Sequence, residues 1–443
     1  MAVSPARAAA FDILIRVEQE EAYASELLHS RRCEELSPAD HGLTTELVMG
    51  VLRWRSWLDS LISHYSSIGL AKLDQEVLVA LRLAAYQMAV LERVPKRAAV
   101  HESVELVKRA RKRSAAPFTN AVLRKLSAAR LRPPEHSFEG NEVQTLAETT
   151  AHALWLVEQW TKEFGLDTAR RICAHNQRSP ETSIHIFDRS AIDELTREGI
   201  TLGPGILLRS AQRVLSGRLV ATRAFREGRV FVQDEASQLV ALLIGNAFNI
   251  LDCCAAPGGK TRLLAERNPD AKILAVELHA HRARLLRKRV SVPNVHVVNA
   301  DIRELAVSQL FDRVLVDAPC SATGTLSHHP EIKWRLKPED LADLRSRQAA
   351  ILQAAMRHVA PKGMLIYSTC SLEREENEEV VDSALNGQAS FRVVDCSREL
   401  DQLRSQGELV WPEPASLTCG PFLRTIPGIH NCDGFFAAIL QKK

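Results

Sequence analysis

The chain is poor in the features that would set it apart from an ordinary folded protein. Aromatic residues make up only 5% of its 443 residues, and no apolar run reaches the roughly 20 residues a membrane-spanning helix requires. An excess of one charge is also missing. Lys and Arg number 57 against 54 Asp and Glu, a net charge of +3, so polyanion binding is permitted but has to be read from local clusters. None of the nine cysteines forms a Cys-x-x-Cys pair, and an odd number fits no fully paired disulfide framework. Cys253 and Cys254 are adjacent, which suits neither a zinc site nor a simple bridge, so no metal is expected. A reducing compartment follows. The first residues carry no long apolar segment and turn acidic by Glu18, which argues against a signal peptide and for the cytoplasm.

What is present is a globular composition, 46% hydrophobic and 25% charged, over a length that implies about three domains. Residues 1–130 are helical by pattern. Leu43, Leu47, Val48, Val51, Leu52, Leu58, Leu61 and Ile62 keep a 3.6-residue period, and Leu78, Leu81, Ala85, Met88 and Leu91 form a second apolar face ended by Pro95. A further helix carries the basic run Lys108, Arg109, Arg111, Lys112 and Arg113. The segment 131–141, rich in Pro, Gly and polar residues, is expected to be a linker. Residues 145–235 mix helical and strand patterns, a small α+β module. From 236 to 443, strand-like runs at 250–254, 273–277, 295–298, 314–317, 364–369, 393–394 and 435–440 alternate with helices, which predicts an α/β, parallel, doubly wound sheet.

The first run of that sheet continues as NILDCCAAPGGKT, a strand, a small-residue turn and a helix start. Gly258 and Gly259 admit backbone next to a ligand, and the helix start offers free N–H groups. Neither the dinucleotide fingerprint nor the Walker spacing is present. Glu277 ends the second strand, placed to accept from ribose hydroxyls, and Asp301 ends the third, within reach of an adenine amino group.

Two thiols follow. FDRVLVDAPCSATGT puts Asp317 and Cys320 at the ligand edge of one strand, and GMLIYSTCSLEREEN puts Cys370 at the edge of the next. A free cysteine is more often a small buried hydrophobe; two at neighbouring strand ends are less easily accidental. A thiolate adding to carbon 6 of cytosine makes carbon 5 nucleophilic toward a sulfonium methyl, a carboxyl such as Asp317 can serve N3, and a second thiol can help the adduct collapse.

DCCAAPGGKT, DAPCSATGT, HHPEIKW and STCSLEREEN, with QDEAS before the sheet and DGFF near the end, resemble the motifs of bacterial 16S ribosomal RNA cytosine-C5 methyltransferases. VLRWRSWLD and FTNAVLRKL resemble the NusB-like RNA-binding domain. The resemblance implies a Rossmann-like methyltransferase domain behind a NusB-like one, S-adenosylmethionine as methyl donor and ribosomal RNA as substrate, with no obligate protein partner and a monomeric enzyme. It implies that Cys254, Ala255, Ala256, Pro257, Gly258, Gly259 and Lys260 form the cofactor loop, that Glu277 binds ribose and that Asp301 lies near adenine. It implies that Asp317 borders cofactor and base, that Cys370 is the nucleophile and that Cys320 assists release. Cys253 and the region 152–155 depart from the family pattern. Trp334 fits a base pocket or a packed core equally, and the cluster Arg282, Arg284, Arg287, Lys288 and Arg289 fits RNA contact or a solvated face. A catalytically silent RNA-binding adapter and a DNA methyltransferase remain the rival readings; the intact Cys370 and glycine loop speak against the first.

Overall fold

The computed structural model describes residues 3–20, 22–30, 33, 35–129, 131 and 141–443. Apart from its two end residues, the expected linker at 131–141 lies outside the described residues. The chain forms two compact units, Met1–Ser179 with Leu326–Arg335, and Pro180–Thr325 with Leu336–Lys443.

The first unit is helical, as the periodicity predicts. Its helices include Pro5–Gln19, Pro38–Arg53, Arg55–Tyr65, Gln75–Val90, Lys96–Arg109 and Ala116–Ala128. Pro38–Arg53 starts where its sequence says it should: Pro38 occupies the first turn, and the Ser37 hydroxyl accepts from the Asp40 amide at 3.1 Å. Leu14, Leu47, Leu52, Leu58, Ile62, Leu81 and Leu83 are fully buried between the helices. Arg82 ties three of them together, bonding Asp59 at 2.6 and 2.7 Å and Glu18 at 3.1 Å.

Residues 326–335 pack into this helical core, and helix ends explain why. The last carbonyls of a helix lack intrahelical donors and carry a partial negative charge, so cationic and N–H donors are favoured there. Trp334 Nε1 donates to the Leu52 carbonyl at 2.7 Å, Lys333 Nζ to the carbonyls of Arg53 and Ala151 at 2.9 and 2.8 Å, and Arg335 to that of Val17 at 2.7 Å. Glu331 accepts from the amide of Ala24 at 3.0 Å, at the start of the helix Ala24–Leu28.

The second unit holds two sheets. Strands β1 (Thr182–Ile186), β2 (Thr201–Pro204), β3 (Ala211–Ser216) and β4 (Val230–Val232) form a small antiparallel sheet in the order β2-β3-β1-β4. The large sheet contains β5 (Asn249–Asp252), β6 (Lys272–Glu277), β7 (Val295–Asn299), β8 (Phe311–Asp317), β9 (Val359–Thr369), β10 (Phe391–Val394), β11 (Thr418–Cys419), β12 (Phe422–Thr425) and β13 (Phe435–Lys442). Its order is β11-β12-β13-β9-β8-β5-β6-β7, with β10 also on β13. Val314, Leu315 and Val316 on β8, and Leu365, Ile366 and Tyr367 on β9, are fully buried, the continuous apolar run of a strand covered on both faces.

Strands β7, β6, β5, β8 and β9 are mutually parallel. The sequence pattern places 393–394 and 435–440 in the same parallel series, and the structure corrects that. β13 runs antiparallel to β9, with Phe436 opposite Thr369, and β10 runs antiparallel to β13. The reason lies in the connection. β13 is entered from its antiparallel neighbour β12 across the short stretch 426–434, without the crossover helix that a parallel strand needs.

Candidate active site

The parallel strands β5, β6, β8 and β9 deliver their carboxyl ends to one edge, where open α/β sheets bind ligands. β5 ends at Asp252, whose carboxylate accepts from the Thr261 hydroxyl at 2.7 Å and so pins the turn to the helix Gly259–Arg267. Burial pushes Asp252 up to about 7. The same desolvation raises the thiols of Cys253 and Cys254 above the ordinary cysteine range, so neither is an activated nucleophile.

Gly258 stands at φ +111°, a conformation that side chains other than glycine rarely adopt. A Cβ there would come within 2.6 Å of Val290 Cγ2 and 2.8 Å of Leu286 Cδ1. The glycine is thus required first by its own backbone and by Leu286 and Val290, before any ligand is considered. The helix Gly259–Arg267 has no side-chain cap, which leaves its first amides available to a ligand.

Glu277, at the end of β6, is buried and accepts from the His279 amide at 2.9 Å. Asp301 lies just beyond β7, where its carboxylate takes the Arg303 guanidinium at 2.6 and 3.0 Å and the Arg303 amide at 2.9 Å. The Arg303 hydrogen bond holds Asp301 below the usual carboxylate range. Lys260 reaches across to Asp317 at the end of β8, 2.8 Å away, and lies 4.9 Å above the Phe435 ring. The other Asp317 oxygen accepts from Ser368 of β9 at 2.8 Å. Loop, β8 and β9 are joined through one carboxylate.

Two residues past Ser368 is Cys370, and three past Asp317 is Cys320. Their sulfurs are 3.4 Å apart. Backbone bonds fix the two loops: Ala318 N–H donates to the Ser368 carbonyl at 2.8 Å, and Gly324 N–H to that of Cys370 at 2.9 Å. Gly434 then donates to Gly324 at 2.8 Å, which draws in the DGFF segment. A Cβ on Gly324 would collide with the carbonyls of Gly434 and Cys370, so three chain segments meet there only because that residue is glycine. The Cys320 thiol is pushed well above the ordinary range, first by its hydrogen bond with Cys370, then by desolvation and by the charges of Cys370 and Glu376.

The remaining residues singled out in the sequence fall elsewhere. His328, His329 and Trp334 belong by their contacts to the helical unit, where Trp334 packs against the core. Burial holds His329 down at about 4. In the first basic run, Lys108 pairs with Glu105, Arg109 with Asp12, and Lys112 with Asp74. In the second, Arg282 and Arg287 donate to the carbonyls of Ala256 and Val297. Three residues at the site escape the motif reading: Ser368, Gln348 and Glu376. Ser368 and Glu376 both stand inside STCSLEREEN, where residue type alone gives neither a role, and Gln348 lies outside every motif. In QDEAS, Glu235 is buried and accepts from the amides of Ile206, Leu207 and Leu208, a structural duty. Among the described residues, no group of three or more His, Cys, Asp or Glu is arranged to hold a metal ion, and no helix is long and apolar enough to cross a membrane.

A parallel sheet whose strand ends gather an uncapped glycine turn, acids at the ends of β6 and β7 and an Asp-Ala-Pro-Cys turn defines an S-adenosylmethionine-dependent methyltransferase of Rossmann-like fold. The chain belongs to the RsmB/F family of 16S rRNA methyltransferases, which it matches over residues 240–441, and its residues 4–128 match the NusB family. It is 34% identical to a Bacillus subtilis protein described as "Probable ribosomal RNA small subunit methyltransferase B", over 98% of both chains. It is 32% identical to the "Ribosomal RNA small subunit methyltransferase B" of Klebsiella pneumoniae, over 93% of this chain and 92% of that one. The crystal structure of the protein PH0851 shares the fold over the whole of both chains, with a TM-score of 0.82 at 23% identity.

Proposed function

We propose that this 16S rRNA methyltransferase modifies carbon 5 of a cytosine through a covalent adduct between Cys370 and the base. The observation that carries the reading is the 3.4 Å approach of two sulfurs at the ends of adjacent parallel strands, beside Asp317. S-adenosylmethionine, when bound, supplies the electrophilic methyl group. The uncapped turn 254–260, Glu277 and Asp301 suit such a ligand: free amides and Lys260 for its carboxylate, acids at two strand ends for its ribose and adenine.

Cys370 adds to carbon 6, and the electron pair displaced toward the ring makes carbon 5 a nucleophile. Lys260 and Ser368 hold Asp317 from both sides, which supports its serving the ring nitrogen where charge develops. After transfer, the carbon 5 proton leaves to a base, the carbon–sulfur bond to Cys370 breaks, and the double bond returns. Cys320 assists at this stage. The NusB-like residues 1–130 contact RNA phosphates, with Arg111 and Arg113 exposed beside the ion-paired members of the same run.

Bisulfite mapping of total RNA from cells with and without the protein tests the reading. A protected 16S cytosine should disappear when the gene is deleted and return with the wild-type gene. An unchanged 16S pattern, or a loss confined to DNA, would overturn it.

A further inference from the structure

Each of the two cysteines is followed by a serine, and both serines bond the same buried carboxylate. Glu376 is fully buried. Its Oε2 accepts from the hydroxyls of Ser321 and Ser371, which are themselves 3.1 Å apart. Its Oε1 accepts from the Ser321 amide at 2.8 Å and from Gln348 Nε2 at 2.8 Å. Gln348 also donates to the Pro319 carbonyl at 2.9 Å. The peptide is therefore held on both sides of Cys320, directly after it and through Gln348 before it. Four donors satisfy the carboxylate, so the charge can stay buried with no basic side chain among those donors.

Two thiols 3.4 Å apart at equivalent strand ends would otherwise be close to interchangeable. We propose that Glu376 is a positioning residue that fixes both cysteine loops on one carboxylate and, by its negative charge beside the Cys320 backbone, makes the two sulfurs unequal, so that Cys370 is the one that attacks. A fixed anion disfavours a second anion near it in a poorly solvated site. The direction agrees with the raised Cys320 thiol, to which Glu376 contributes after Cys370 and desolvation. This rests on the covalent reading above, and it deepens that reading by naming what assigns the roles.

Glu376→Gln is the decisive variant. Its amide oxygen can still accept from the Ser321 amide and Gln348, and its NH2 can donate to the two serine hydroxyls, which rotate to accept. Geometry is kept and the charge is lost. The readout is alkylation of each cysteine by iodoacetamide across pH, resolved by mass spectrometry, with neither RNA nor S-adenosylmethionine present. Both cysteines keep part of their surface exposed. In the wild type, Cys370 should react at lower pH than Cys320. In Glu376→Gln the Cys320 profile should move down by about one pH unit or more, a tenfold gain in thiolate at a given pH. Glu376→Asp, which keeps the charge, should restore the order. A wild-type Cys320 profile in folded Glu376→Gln overturns the proposal. Should that variant fail to fold, Cys320 in Cys370→Ala should still titrate above Cys370 in Cys320→Ala, and the reverse order overturns it equally. Failure of the covalent reading shows separately, as the absence of any protein–RNA adduct.

Discussion

Cys320 and Cys370 face each other at 3.4 Å because β8 and β9 are hydrogen-bonded neighbours in register, Asp317 beside Ser368. Each sulfur then stands on a loop just past its strand, Cys370 one residue beyond β9 and Cys320 three beyond β8. That relationship makes the two residues separable by experiment.

The thiolate of Cys370 opens the proposed reaction, so Cys370→Ala should abolish both methylation and any covalent species. Cys320→Ala should instead stall after transfer and leave protein joined to RNA. A denaturing gel with labelled RNA and S-adenosylmethionine would show a retarded band for that variant alone, and none for the double variant. A band from Cys370→Ala that vanishes in Cys320→Ala would reverse the roles. Wild-type methylation in both single variants would dispose of the covalent route.

Gly258→Val forces a β-branched residue to φ +111° and drives its Cβ into Val290 and Leu286. Backbone strain of this kind costs about 1–3 kcal/mol. A lower Tm should accompany S-adenosylmethionine binding weakened at least about tenfold. The two losses are linked, because the turn that strains is the turn proposed to bind. Wild-type values of both in calorimetry would show that the loop tolerates a side chain and is not the site.

Lys333 is buried, and desolvation lowers it to about 7 from an unfolded value near 10.4. Below pH 7 both states carry the proton and the folded state bears the full cost of a buried charge. Between about pH 7 and 10.4 the unfolded chain holds a proton that the folded chain has lost, so stability rises with pH, on the order of 1 kcal/mol per pH unit. Five of the six tryptophans, Trp54, Trp57, Trp155, Trp160 and Trp334, lie in the helical unit, so their fluorescence reports its unfolding. Urea midpoints should climb from pH 7 to 10 in the wild type relative to Lys333→Met. Parallel curves for the two proteins would mean that Lys333 titrates normally.

The sequence by itself determined whatever is local. The 3.6-residue stripes placed the helices of the first unit, uninterrupted apolar runs placed the central strands, and small-residue turns after strands marked the edge where Gly258, Asp317, Cys320 and Cys370 stand. Those signals arise from burial periodicity and turn chemistry within a few residues. The tertiary structure alone decided that 326–335 packs among the helices, that β13 runs antiparallel, and that Gly258 answers to Val290 and Leu286. It alone decided, too, that Glu376 gathers Ser321 from 55 positions away. A carboxylate that meets its donors across such a span leaves no period in the chain, because its partners are selected by strand order and loop closure rather than by spacing.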